Sequence, residues 1–125
     1  MKKIYFVATL IVFSSSCINA PERNCSNFKV GTFTFATTIK GESQTTTFTR
    51  NSTIEIGEFN GVKDTATVRW INDCEYILKK VNPKNKSEEK PIHIKILTTS
   101  NSSYTFEYNA VGSSQKLKGE AIKIH

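Results

Sequence analysis

The chain has 125 residues, a formal net charge of +6, 38% hydrophobic residues and three cysteines. That length supports one domain with one modest core and leaves no room for a second. The mild positive balance is too weak for a nucleic-acid footprint, so no nucleic-acid partner is expected.

Met1-Lys2-Lys3, the apolar run 4–13 and Ser14-Ser15-Ser16-Cys17-Ile18-Asn19-Ala20 together read as an export signal over residues 1–20. Two lysines form its positive start, and the apolar run is too short to cross a bilayer as a helix. Cleavage after Ala20 would leave Pro21 first, a poor substrate for a signal peptidase. Cleavage before Cys17 avoids this and makes 1–16 a lipoprotein signal, with small residues ahead of an acylated Cys17. The expectation is an exported protein in the periplasm, outer membrane or cell surface, held to a membrane by a lipid on Cys17. The alternative is that Cys17 leaves with the signal. Loss of Lys2 and Lys3 lowers the seventeen basic residues to fifteen against eleven acidic ones, a net charge of +4.

Residues 21–125 form the remaining domain. Cys25 and Cys74 are an even pair in an oxidising compartment, which predicts a disulfide. Closing so long a loop is worth about 4 kcal/mol in the chain-entropy account.

Thr, Ile, Val, Phe and Tyr dominate this domain, and turn residues recur at short intervals, which predicts strands. The first strand is expected over 28–37, the second over 45–50 and the third over 53–59, with Asn60-Gly61 as a hairpin turn behind it. The fourth spans 65–71 and turns at Asn72-Asp73 into the fifth, 74–81. A long polar loop, 82–90, leads to strands over 92–97, 104–110 and 116–124. Ala66, Val68 and Trp70, then Ile92, Ile94 and Ile96, then Tyr104, Phe106 and Tyr108 each alternate with polar residues, giving an apolar and a wet face. The first strand changes phase at Gly31 and the last near Gly119, which reads as a bulge or bend in each. An all-β fold follows: an eight-stranded antiparallel meander barrel, with a two-sheet β-sandwich as the alternative.

The segments Cys25-Ser26-Asn27-Phe28-Lys29-Val30-Gly31-Thr32-Phe33, Phe48-Thr49-Arg50 and Arg69-Trp70-Ile71-Asn72-Asp73-Cys74-Glu75-Tyr76-Ile77-Leu78 resemble small exported proteins of Bacteroidetes-type bacteria. The early Gly31-x-Phe33 is also similar to lipocalin-like proteins, and that resemblance implies a barrel able to hold a small ligand. Some of these relatives carry a topoisomerase IV label, which an exported domain of this size contradicts, having room for neither an ATP-binding fold nor a DNA-cleavage domain.

Catalytic signatures are sparse. His93 is expected on a wet face and His125 at the chain end, while Asp64 and Asp73 are expected in turns, where a carboxylate caps backbone N–H groups. There is no phosphate loop, zinc spacing or nucleophile elbow. Glu55, Glu58, Glu107 and Glu120 could in principle supply a carboxylate pair, but no two are set apart by their neighbours. The Asn-x-Ser/Thr triplets at Asn24, Asn51, Asn85 and Asn101 read as turn composition. The expectation is a non-enzymatic monomer without cofactor or metal.

Two functions fit. In the first, Trp70, Tyr76, Tyr104, Phe106 and Tyr108 line a site at one barrel mouth for a small apolar or amphipathic ligand; their competing role is to fill the core. In the second, the 82–90 loop, with Lys79, Lys80, Lys84, Lys86 and Lys90 on and beside it, meets an envelope protein as an interaction or inhibitor module.

Overall fold

A computed structural model describes residues 23–125; the expected export signal and Cys17 fall outside the described residues. The strands are β1 (Gly31–Ile39), β2 (Glu42–Arg50), β3 (Ile54–Phe59), β4 (Val62–Asn72), β5 (Glu75–Lys80), β6 (Ile92–Thr99), β7 (Ser103–Ala110) and β8 (Leu117–Lys123). A short 3-10 turn, Cys25–Phe28, precedes β1, and one helical turn, α1 (Lys86–Glu89), lies between β5 and β6. Each strand pairs antiparallel with the next and β8 returns to β1, so the fold is the expected closed eight-stranded barrel and not a sandwich. At the closing seam Phe33, Thr34 and Phe35 face Lys123, Ile122 and Ala121. The seam is extended by the Thr32 N–H on the His125 carbonyl at 3.1 Å and the Ile124 N–H on the Thr32 carbonyl at 2.8 Å.

Local chemistry explains the hairpins. Lys40-Gly41 and Asn60-Gly61 each supply two positive φ angles, 51° and 79°, then 51° and 76°, the geometry that matches the twist of tightly joined strands. The Asn51 side chain accepts from the backbone N–H groups of Thr53 and Ile54, and that of Asn72 from Cys74 N–H, so both turns carry an internal cap. Asn85 caps α1 by accepting from Glu88 N–H at 2.9 Å.

The alternation expected for β4, β6 and β7 holds: Val68, Ile94, Ile96, Tyr104 and Phe106 are buried inside the barrel. Three sequence expectations need correction. Phe28 belongs to the 3-10 turn and not to the first strand, so the phase change at Gly31 is a bend at a helix-to-strand junction and not a bulge. Gly31 sits there with φ +147°, and a Cβ would stand 2.7 Å from the His125 carbonyl oxygen. In β8 the register with β7 runs unbroken, so there is no bulge near Gly119; Ile122 simply faces outward and is exposed. Gly119 instead makes room for rings, since a Cβ on it would lie 2.8 Å from the Phe106 Cζ. Asp64 lies within β4 and not in a turn, bound to Lys80 at 2.8 Å. The register shifts that do occur fall between Trp70 and Asn72 and between Ile96 and Thr98.

The barrel has two different ends. The 3-10 turn covers one of them, with Cys25 and Phe28 buried beneath it and Cys25 bonded to Cys74, 49 residues away in sequence, at the β4–β5 turn. Arg23 donates to the Ile96 carbonyl at 2.9 Å and Lys123 to the Asn27 carbonyl at 2.7 Å, tying this segment to β6 and β8. The Lys40-Gly41 and Asn60-Gly61 turns, the 82–90 loop and the β7–β8 connection surround the opposite end.

Candidate functional site

The covered end is filled around one charged residue. Arg50, the last residue of β2, is only 1% exposed and is the one buried charged side chain among the described residues. Its Nε donates to the Lys29 carbonyl at 3.2 Å and one terminal nitrogen to the Phe28 carbonyl. The other terminal nitrogen donates to Glu55 Oε1 at 2.9 Å and the Tyr76 hydroxyl at 2.8 Å. Tyr104 offers its hydroxyl to both at 3.4 Å. The planar group also lies against the rings of Phe33 and Tyr76, with its central carbon 4.8 Å and 4.7 Å from their centroids. Burial acts against the Arg50 charge, but the two phenols and the Glu55 carboxylate more than offset it, and its pKa is raised.

Glu55 is placed by an inverted strand. In β3 the isoleucines Ile54 and Ile56 are exposed on the outer surface, while Glu55, Gly57 and Phe59 are the less exposed set. Register with Arg50 on one side and Ala66 on the other fixes this phase, because a slip by one residue would turn Glu55 out and break its bond to Arg50. Burial pushes the Glu55 carboxyl above its ordinary value, and the attraction and hydrogen bond of Arg50 cancel only part of that rise. Burial likewise raises Tyr76, helped by the neighbouring Tyr104 and opposed by Arg50.

Beyond this plug, toward the other end, the interior is not filled. A cavity of about 230 Å³ is walled by Phe35, Phe48, Leu78, Ile94 and Phe106, with Glu55 and Gly57 on the β3 side and Tyr108 and Ile92 toward the mouth. A Cβ on Gly57 would meet nothing within 4 Å, so the missing side chain there is part of the reason for the space. A neighbouring space of about 140 Å³ shares Glu55, Gly57, Leu78 and Ile92 and reaches Asp64 and Lys80. Another, of about 360 Å³, shares Ile92 and Tyr108 and extends over the rim to Glu88, Lys90 and Leu117.

Of the aromatic residues singled out from sequence, Tyr76, Tyr104, Phe106 and Tyr108 come together on this cavity. Trp70 does not line it. Its ring packs on Tyr76 at 4.5 Å between centroids and under the Lys29 ammonium at 4.9 Å, at the covered end. The lysines do not converge. Lys79 is exposed, Lys84 and Lys86 are exposed along the loop, and Lys90 reaches the rim. Lys80 is held between Asp64 and Glu88 at 2.8 Å and 3.0 Å, and its pKa is raised by these hydrogen bonds. Glu88 also accepts from Lys84 N–H inside the loop, which lowers its pKa, while its bond to Lys80 holds the loop to β5.

Arg50, Glu55 and Gly57 are the residues that sequence reasoning passed over as a site. Among the four glutamates considered, Glu55 is the one paired inside the barrel; Glu107 pairs with Lys116 at 3.3 Å, while Glu58 and Glu120 are exposed. His93 bonds Glu75 at 3.1 Å across β5 and β6. Among the described residues no cluster of His, Cys, Asp or Glu could hold a metal ion. Comparison with family models, curated proteins and solved structures finds no match to this chain.

Proposed function

We propose that the protein is a non-enzymatic, lipocalin-like binding module of the cell envelope that takes a small apolar or amphipathic molecule into the open half of its barrel. The observation that carries this reading is the apolar cavity left unfilled by Gly57 above an aromatic floor. Concave, mostly apolar spaces with one or two placed polar groups are the usual form of small-molecule sites. The Cys25–Cys74 bridge fits an oxidising compartment, and acylation of Cys17 would hold the barrel near a membrane, where amphiphiles are abundant.

Native mass spectrometry of the protein purified from its own envelope tests the reading. A small molecule should travel with the wild type and be absent from a folded Gly57→Leu variant. A bare wild-type mass, with no uptake of an added apolar probe, would overturn it. A second reading, an interaction or inhibitor module acting through the 82–90 loop, draws on the exposure of Lys84, Lys86 and Lys90. In that case a protein partner would accompany the chain and be lost on changing those lysines, while Gly57→Leu would have no effect.

A further inference from the structure

We propose that the ligand enters with a cationic or hydrogen-bond-donating head leading, an alkyl amine being the simplest case, and that Glu55 on the cavity wall receives that head. This rests on the ligand-binding reading above and specifies the chemistry of its occupant.

The argument begins with which charge the interior presents. Arg50 spends its donors on Phe28, Lys29, Tyr76, Tyr104 and Glu55, and rings cover its faces. Its partners Glu55, Tyr76 and Tyr104 border the cavity beyond the plug, but Arg50 itself does not. Glu55 differs. Arg50 meets it through Oε1 alone, and Oε2 has no hydrogen-bond partner among the described residues. No buried side-chain oxygen of the described residues lacks a partner, so Oε2 retains accessible space beside it. The spaces that Glu55 borders are the 230 Å³ cavity and its 140 Å³ neighbour.

A carboxylate can accept about four hydrogen bonds, and Glu55 accepts one from the described residues. An amphiphile that enters tail first would cover this oxygen with methylenes and leave it unpaired, which is costly. An anionic head at the same place would meet like charge. An ammonium or other N–H donor makes a charge-assisted bond to Oε2 while its alkyl tail lies along Leu78, Ile94 and Phe106 toward the mouth. Burial has already raised the Glu55 pKa, and a neighbouring cation would bring it back down.

The test is a calorimetric comparison of octylamine, octanol and octanoate on the full domain, repeated on Glu55→Gln and Gly57→Leu, with circular dichroism melts to check folding. The wild type should bind the amine at least about tenfold more tightly than the alcohol, with octanoate weakest. Glu55→Gln should bind amine and alcohol alike, and Gly57→Leu none of the three. Octanoate binding as well as octylamine, or an amine preference that survives in Glu55→Gln, overturns the head-group assignment and leaves the cavity reading intact. No binding of any probe to the wild type removes both. Should Glu55→Gln fail to fold, the order of the three ligands on the wild type still decides.

Discussion

Arg50 and Glu55 are register partners on β2 and β3, and their side chains meet again inside the barrel at 2.9 Å. The backbone ladder and the ion pair therefore specify the same alignment. Opposite charges sit at the covered end of an otherwise apolar interior, where Arg50 also depends on its further hydrogen-bond partners for its place.

Arg50→Met should cost about 3–5 kcal/mol, because it leaves the Glu55 charge and the Phe28 carbonyl without their partner. Arg50→Lys should be nearly as damaging, since one ammonium cannot reach Phe28, Lys29, Glu55 and Tyr76 together. Urea unfolding measures both. A loss below about 1 kcal/mol would mean that the covered end holds without it.

Glu55 has a pKa above its ordinary value in the folded barrel, with Arg50 and Tyr76 beside it and Asp64 and Lys80 on the smaller space it shares with them. The folded state then holds more protons than the unfolded state between the two values, so stability falls as pH rises through that interval. The difference in unfolding free energy between wild type and Glu55→Gln should shrink, or change sign, as pH climbs from the ordinary glutamate value upward. A difference that grows with pH would show the ion pair to be dominant over burial.

Two inward-facing glycines should respond oppositely. Gly57 has open space where a Cβ would go, and Gly57→Ala should be neutral or stabilise by up to about 1 kcal/mol through the unfolded chain. Gly119→Ala meets the Phe35 and Phe106 rings and should cost about 1–3 kcal/mol. Thermal melts of the pair check this, and equal shifts would be the contrary result.

Reduction of the Cys25–Cys74 bond should lower stability by about 4 kcal/mol and loosen the 3-10 turn first, since the bridge anchors that turn to the β4–β5 corner. Amide exchange at residues 25–30 should rise more than at β6 and β7. Uniform acceleration along the whole chain would instead place the bridge's effect on global unfolding alone.

Much of the barrel was legible because period-2 patterning is strong in β4, β6 and β7 and because Asn60-Gly61 is a specific turn signal. Lys40-Gly41 makes an equivalent turn without the usual asparagine, which hid the true ends of β1 and β2. The site was less legible for a physical reason. Hydropathy places isoleucine inside and glutamate outside, whereas β3 does the reverse, and only the position of Arg50 across the ladder discloses it. Phe28 was misread for a related reason, since a residue buried under a cap and one buried in a strand look alike in sequence.

The β1–β8 seam carries a kinetic consequence. Every other pairing joins neighbours along the chain and can form by closing a short loop, whereas the seam must bring Phe33 to Lys123. Loop closure on that scale is slow and is rewarded last, so the late step in folding is the zipping of a pre-formed curved sheet. Until it zips, β1 and β8 are bare edges able to accept a strand from another molecule, which makes the still open sheet the form most exposed to aggregation.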